Sequence, residues 1–364
     1  MRENIDHARF LKAYENEIEF FAPRLKGRKI KTIFFGGGTP SLMPLQLVEK
    51  ILNKISACWE IDKFCEITLE ANPTSFESSK FLDFKNAGIN RLSIGVQALN
   101  DADLKFLGRE HSAKEAIAVI KKAAEIFENF SFDLIYARPQ QTLESWSQEL
   151  KQALEFNTKH LSLYQLTIEK GTKFFSEFKQ KKFEMPDENL AADFYNITNE
   201  ITASKGLELY EISNYAKKNF ECAHNLVYWQ GGDYLGIGAG AHSRVFLDDE
   251  TNHQRRAIMM THEPLAWLSE VEKKGAGIQT STKISSQELL EELILMGLRL
   301  KSGIENKVFQ QFFSKNLEEI FNFEKLQTLV NQGFLTVDAL QIKITDEGRI
   351  LSNTIISKAV QALR

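Results

Sequence analysis

Apolar residues along the first two-thirds of the chain recur with two alternating spacings. The segments KTIFF (31–35), CEITLEA (65–71), RLSIGVQ (91–97), SFDLIYA (131–137) and HLSLYQLT (160–167) read as strands, followed by a shorter LELYEIS (207–213). Between them, apolar positions spaced near 3.6 predict helices over Leu45 to Ile55, Phe76 to Phe84 and Ala113 to Phe127. The opening stretch, MRENIDHARFLKAYENEIEFF, also reads as a helix. Thr74-Ser75-Phe76-Glu77 resembles a capping box, and Gly88 is placed to close the helix it starts. A strand–helix alternation of this kind predicts parallel pairing with right-handed crossovers, in a barrel, a partial barrel or an open doubly wound sheet. Any of these gathers its site at the C-terminal ends of the strands.

The strand ends carry polar and conformationally free residues. The first runs into Gly36-Gly37-Gly38-Thr39-Pro40, a loop bare enough to adopt positive φ and let a ligand touch the main chain. Ser41 follows, and Pro44 suits the first turn of a helix. The second strand ends at Glu70-Ala71-Asn72-Pro73 and the third at Gln97; Asp133 lies on the fourth, and Tyr164, Gln165 and Thr167 close the fifth. Residues 215–245 break the rhythm and read as a loop dense in glycine. Beyond Pro264, helices are expected over 264–273, 286–300, 305–314 and Phe323–Gln332, then two short strands and a final helix, a winged-helix-like order. The expected division is 1–250, with the 215–245 loop, and 260–364.

Composition narrows the function classes. The 364 residues include 43% hydrophobic and 26% charged, the balance of a soluble globular protein, and the net charge of -4 gives no basis for nucleic-acid binding. The winged-helix-like module lacks the basic face of a DNA-binding regulator, so a structural or lid-like role is expected of it. No apolar run reaches the roughly 20 residues of a membrane helix. Three cysteines, Cys58, Cys65 and Cys222, make no disulfide framework, and a cytoplasmic location is expected. The 27 phenylalanines suggest a large core.

The ordered series FFGGGTPSLM, EITLEANP, RLSIGVQALND, LGREHS, FDLIYARPQQT and CAHNLVYW, from Lys31 to Val245, resembles the radical S-adenosylmethionine family. The branch it resembles holds oxygen-independent coproporphyrinogen III oxidase and a related haem chaperone. The resemblance implies an α/β fold, a partial parallel (β/α) barrel, whose first strand has no counterpart in this chain, followed by the helical C-terminal module. It also implies that S-adenosylmethionine is held by Gly36, Gly37, Gly38, Thr39, Glu70, Gln97, Arg109 and Asp133. The chemistry suits them. The glycine loop offers main-chain groups to the amino end, Glu70 can accept from ribose hydroxyls, and Arg109 can hold a carboxylate with two bonds. Gln97 and Asp133 would complete the polar shell. Taken singly, Arg109, Asp133 and Glu70 read equally as strand-end charges, and Gln97 as a capping amide.

One departure is sharp. The family holds a [4Fe–4S] cluster on cysteines spaced C-x3-C-x2-C, and no such spacing occurs here. In the family that motif follows a strand preceding the GGGTP strand. The expectation is therefore that the reading frame continues upstream of Met1; a genuine loss of the cluster is the alternative. The exposed sheet edge that a missing strand would leave favours the first. His224-Asn225-Leu226-Val227-Tyr228 matches an H-N-x-x-Y pattern that the resemblance ties to haem binding by His224, Asn225 and Tyr228. The implied function is haem uptake and transfer to haem-accepting respiratory proteins, including at a membrane. Oxidative decarboxylation of coproporphyrinogen is the second reading. Arg138 stands where many relatives show a G-L-P-G-Q-like run, and the sequence leaves open whether it serves a propionate or faces solvent.

Overall fold

The computed structural model describes residues 5–249 and 252–364. Helix α1 (His7–Phe21) leads into strand β1 (Lys29–Phe35) and helix α2 (Leu45–Cys58). Strand β2 (Glu60–Ala71) is followed by the short helices α3 (Ser75–Ser78) and α4 (Phe81–Asn86). Strand β3 (Arg91–Gln97) is followed by α5 (Asp101–Phe106) and α6 (Ala113–Ile126), and β4 (Asn129–Tyr136) by α7 (Leu143–Glu155). After β5 (His160–Gln165) come α8 (Lys173–Lys179), α9 (Glu188–Ala203), β6 (Glu208–Leu209) and β7 (Asn214–Ala216). The strands form one sheet in the order β1-β2-β3-β4-β5-β7-β6, curled into a half-barrel. Its first five strands are parallel, and the last two run antiparallel to their neighbours.

The two faces of this sheet differ in polarity. Leu69, Leu92, Ile94, Val96, Phe130, Phe132, Leu134, Leu161 and Leu163 join the main core with Val48, Val119, Ile120, Trp146 and Leu150 from the covering helices. Alternation puts Glu66, Thr68, Glu70, Arg91, Ser93, Gly95, Ser131, Asp133, His160 and Ser162 on the opposite, concave face. Thr68, Arg91, Ser131, His160 and Ser162 are nevertheless buried, so the concave side is a polar interior.

The stretch expected to be a loop, 215–245, contains helix α10 (Ala223–Trp229), and a second sheet begins inside it. That sheet has strands β8 (His242–Asp249) and β9 (Asn252–Met260), then helix α11 (Pro264–Lys274) and strand β10 (Ile278–Lys283), in the order β10-β9-β8. It packs with α1, α2 and α11 into a second core built on Ile18, Phe21, Ile51, Val245, Ile258, Met260 and Trp267. Glu17 of α1 is fully buried there. Its carboxylate accepts the Gly238 N–H at 2.7 Å, the Gly277 N–H at 2.8 Å and the Trp267 indole N–H at 3.0 Å. Part of the glycine requirement follows: Gly238 has φ +108, and a Cβ on Gly277 would lie 2.1 Å from the Trp267 ring.

The chain ends in α12 (Ser286–Gly297), β11 (Ile304–Glu305), α13 (Asn306–Phe313), α14 (Leu317–Ile320), α15 (Phe323–Asn331), β12 (Leu335–Val337), β13 (Gln341–Ile344) and α16 (Ser352–Gln361). They enclose a third core around Ile294, Phe309, Phe321 and Ile342, with the three-stranded order β11-β13-β12. The single helix expected over Phe76 to Phe84 is broken at Lys80 into α3 and α4. Thr74 does cap it, accepting the Glu77 N–H at 3.3 Å. The Glu77 carboxylate does not return to the Thr74 N–H; it takes the Asn72 N–H at 2.8 Å and the Ser41 hydroxyl.

Replacing Glu17 by Ala leaves three buried N–H donors without their acceptor. Glu17→Ala is expected to lower unfolding free energy by about 2–5 kcal/mol in urea denaturation, and a loss below about 1 kcal/mol would contradict this role.

Candidate functional site

The glycine loop after β1 is held open from below. Gly37 and Gly38 have φ of +77° and +55°, and the Gly37 N–H donates to Glu70 Oε2 at 3.0 Å. A Cβ on Gly36 would meet the Phe34 ring at 2.8 Å and the Glu70 carboxyl carbon at 3.4 Å. Across the loop, Asn72 donates its amide to Thr39 Oγ1 at 3.1 Å. The ends of β1 and β2 therefore form one braced rim.

Beside that rim lies a cleft of about 210 Å³ lined by Gly38, Thr39, Pro40, Glu70, Ala71, Asn72, Ser93, Gly95, Arg109 and Asp133. Sequence reasoning placed Gly38, Thr39, Glu70, Arg109 and Asp133 in one pocket, and they do line one. Gly37 touches it through Glu70, and Gly36 packs behind on Phe34. Gln97, with φ +76, is not among the lining residues, but its amide nitrogen lies 3.3 Å from where a Cβ would stand on Gly95, which does line the cleft. Asn72, Ser93 and Gly95 were not singled out. Ser93 and Gly95 could have been found from the inward phase of their strand, which Asp133 and Ser162 share with them across the sheet.

Burial sets the ionisation of this cleft. Glu70 is pushed up by loss of water, against the pull of the Gly37 N–H. Asp133 is pushed up to about 6, chiefly by burial and also by the Glu70 charge, against the Ser162 hydrogen bond and the attraction of Arg91 and Arg109. A carboxylate kept at such a cost, facing one guanidinium, is a feature of binding sites.

Helix α10 sits away from the cleft, against β1. Glu66 on β2 docks it, accepting the Ala223 and His224 N–H groups at 3.1 Å each and the Cys222 thiol at 3.4 Å. His224 stacks on Phe34 with ring centroids 4.9 Å apart. Its Nδ1 lies 2.9 Å from Thr32 Oγ1, and its Nε2 lies 2.6 Å from the Tyr228 hydroxyl. Burial lowers its pKa to about 4, so the ring is neutral at pH 7. Asn225 lies one residue on in the same helix. One phenylalanine ring, Phe34, thus separates His224 from Gly36.

The cysteines do not assemble. Cys58 ends α2, Cys65 is buried within β2 and Cys222 is buried before α10. Burial pushes the Cys65 and Cys222 thiols up to about 11, far from the thiolate that a cluster needs. Among the described residues, no three His, Cys, Asp or Glu side chains are grouped to hold a metal.

The Radical SAM superfamily profile matches residues 9–153, and the HemN C-terminal domain profile matches 284–351. The chain is 39% identical over 337 residues to the mouse "Radical S-adenosyl methionine domain-containing protein 1, mitochondrial", covering 92% of this chain and 76% of that protein. It is 32% identical over 357 residues, 98% of the chain, to the "Heme chaperone HemW" of Escherichia coli K12, covering 91% of that protein. The structure of the Escherichia coli coproporphyrinogen III oxidase (HemN), a radical SAM enzyme, superposes with a TM-score of 0.78 at 23% identity over 98% of this chain and 84% of its own, which shows the shared fold. The chain belongs to the radical S-adenosylmethionine family, in the HemN-like branch close to HemW. That family implies S-adenosylmethionine and a [4Fe–4S] cluster. The cleft fits the first, with carboxylates, a guanidinium and a bare loop for a zwitterionic nucleoside; the cysteines present do not fit the second.

Since Asp133 titrates above its unfolded value near 3.9, its native form gains stability below that pH and loses it as pH rises through 6. Asp133→Asn is therefore expected to stabilise the free protein by about 1–2 kcal/mol at pH 7, with the gain gone at pH 4, in paired urea titrations. Equal effects at both pH values would refute the assignment.

Proposed function

We propose that this protein is a haem chaperone that takes up haem at α10 and passes it to haem-dependent respiratory proteins, with the β1–β4 cleft binding S-adenosylmethionine. The observation that carries the haem reading is the pairing of His224 and Tyr228, one helical turn apart and 2.6 Å between ring nitrogen and hydroxyl, on a helix that Glu66 pins to the barrel. A neutral imidazole is a haem-iron ligand, and Tyr228, Tyr234 and Phe34 supply aromatic surface around it. Both nitrogens of His224 are already engaged, so ligation by Nε2 exchanges the Tyr228 hydroxyl for iron. Asn225 and Tyr228 complete the motif. The similarity to a protein named as a haem chaperone, across nearly the whole chain, supports this reading.

In the cleft, Glu70 and Asp133 would hold the ribose and the cationic portions of S-adenosylmethionine. Arg109 would take its carboxylate, and the Gly36–Thr39 loop would lie along its main-chain-like end, with Gln97 behind Gly95. When bound with its cluster, the cofactor supplies radical chemistry in this family. Coproporphyrinogen decarboxylation would need that cluster, for which the three cysteines of this chain are not grouped. None of the helices among the described residues is long and apolar enough to cross a membrane, and the three free cysteines support action in a reducing compartment such as the cytoplasm. The recipients are haem-accepting proteins, including any at the membrane surface.

Spectral titration with ferric haem tests the reading. The wild-type protein is expected to give a saturable Soret shift, and His224→Ala to weaken binding about tenfold or more, a loss of roughly 1.4 kcal/mol or more. An unchanged titration for His224→Ala would remove the assignment.

A further inference from the structure

Arg138 was left without a role by the sequence, between serving a propionate and facing solvent. It is 2% exposed, so it does not face solvent. It follows β4 on a turn where Ala137 and Gln140 adopt φ of +55° and +61°. Its guanidinium pairs with Glu149 of α7, itself 7% exposed, and reaches Asp103 of α5 at 2.9 Å. Glu149 also accepts the Leu99 N–H at 2.7 Å, at the exit of β3. Helices α5 and α7 and the exits of β3 and β4 are therefore tied together around one buried cation.

Helix α5 is the element that leads to Arg109, the one basic side chain among those lining the cleft. The last turn of α5 closes directly on the residue Arg138 holds. The Leu107 N–H donates to the Asp103 carbonyl at 2.8 Å, and the Arg109 N–H donates to the Leu104 carbonyl at 2.8 Å across Gly108, whose φ is +71. The far end of the loop is fixed too, with His111 Nε2 3.0 Å from the Val96 carbonyl and the Ala113 N–H donating to Asp101 at 2.7 Å.

We infer that the buried Arg138–Glu149–Asp103 cluster is the positioning element for Arg109, setting where the cleft's guanidinium stands without touching the ligand. The inference rests on the reading of the cleft as an S-adenosylmethionine site. A long arginine on an exposed loop loses affinity to side-chain and loop entropy unless its backbone is fixed. Asp103 is the member through which that fixing reaches Arg109. It is 31% exposed, and its removal leaves the Arg138–Glu149 pair intact, so the fold is retained.

The test is a calorimetric titration of S-adenosylmethionine into the full chain, wild type, Asp103→Ala, Arg109→Ala and the double variant, each with its unfolding midpoint measured. Asp103→Ala is expected to weaken binding about five- to thirtyfold at a nearly unchanged midpoint, and to add nothing in the Arg109→Ala background. Asp103→Glu, which can still meet Arg138, is expected to recover most of the loss. Wild-type affinity in Asp103→Ala, or a loss of full size in the Arg109→Ala background, would overturn the inference while leaving the cleft reading standing. Absence of any titration in the wild type would overturn the cleft reading and the inference together.

Discussion

A curved parallel sheet has to satisfy two surfaces at once, and in this protein the convex one alone is apolar. The leucines, isoleucines and phenylalanines of β2 to β5 face the helices and form the main core. The concave face carries glutamate, arginine, serine, aspartate and histidine, many of them buried. Burying polar groups costs several kcal/mol each unless they are paired, so the concave side can exist only as a hydrogen-bonded interior. That requirement explains why Arg91 meets Ser131 and Glu66, and why His160 meets Tyr210. Two buried atoms of this face, Thr68 Oγ1 and His160 Nδ1, have no hydrogen-bond partner among the described residues.

The same device recurs wherever a loop must be held. Glu17, Glu66 and Glu149 are buried carboxylates that accept backbone N–H groups from distant segments, and buried Glu77 accepts the nearby Asn72 N–H and the distant Ser41 hydroxyl. Charge-assisted bonds of this kind contribute about 1.5–3 kcal/mol each and leave little positional freedom. Glu77 braces the glycine loop, Glu149 the exit of β3, and Glu66 the helix carrying His224. Cleft and helix are thereby fixed to one sheet.

Much of this was legible in the residues. The five parallel strands showed in their apolar runs, and Glu70 and Asp133 in their places along two of those strands together with the family resemblance. Helix α10 was hidden because its first N–H groups are capped by Glu66, more than 150 residues earlier, and not by a neighbouring side chain. The β8–β10 sheet was hidden because its strands are largely polar and bury few residues, among them Val245, Leu247, Ile258 and Met260. Gln97 ends β3 with a positive φ, unusual for glutamine, a local turn that the strand's alternation does not announce. The pairing of Arg138 with Glu149 and Asp103 depends on a turn after β4 meeting helices α5 and α7, which no local spacing encodes.

We propose the polar rim of the half-barrel as a nucleoside-cofactor site, distinct from the haem motif on α10. A crystal structure of the protein with S-adenosylmethionine is the decisive measurement. The ligand is expected beside Gly38 and Thr39, its ribose at Glu70 and its carboxylate at Arg109, with α10 unmoved. A ligand seated elsewhere, or one contacting His224 and leaving Glu70 and Asp133 free, would contradict it.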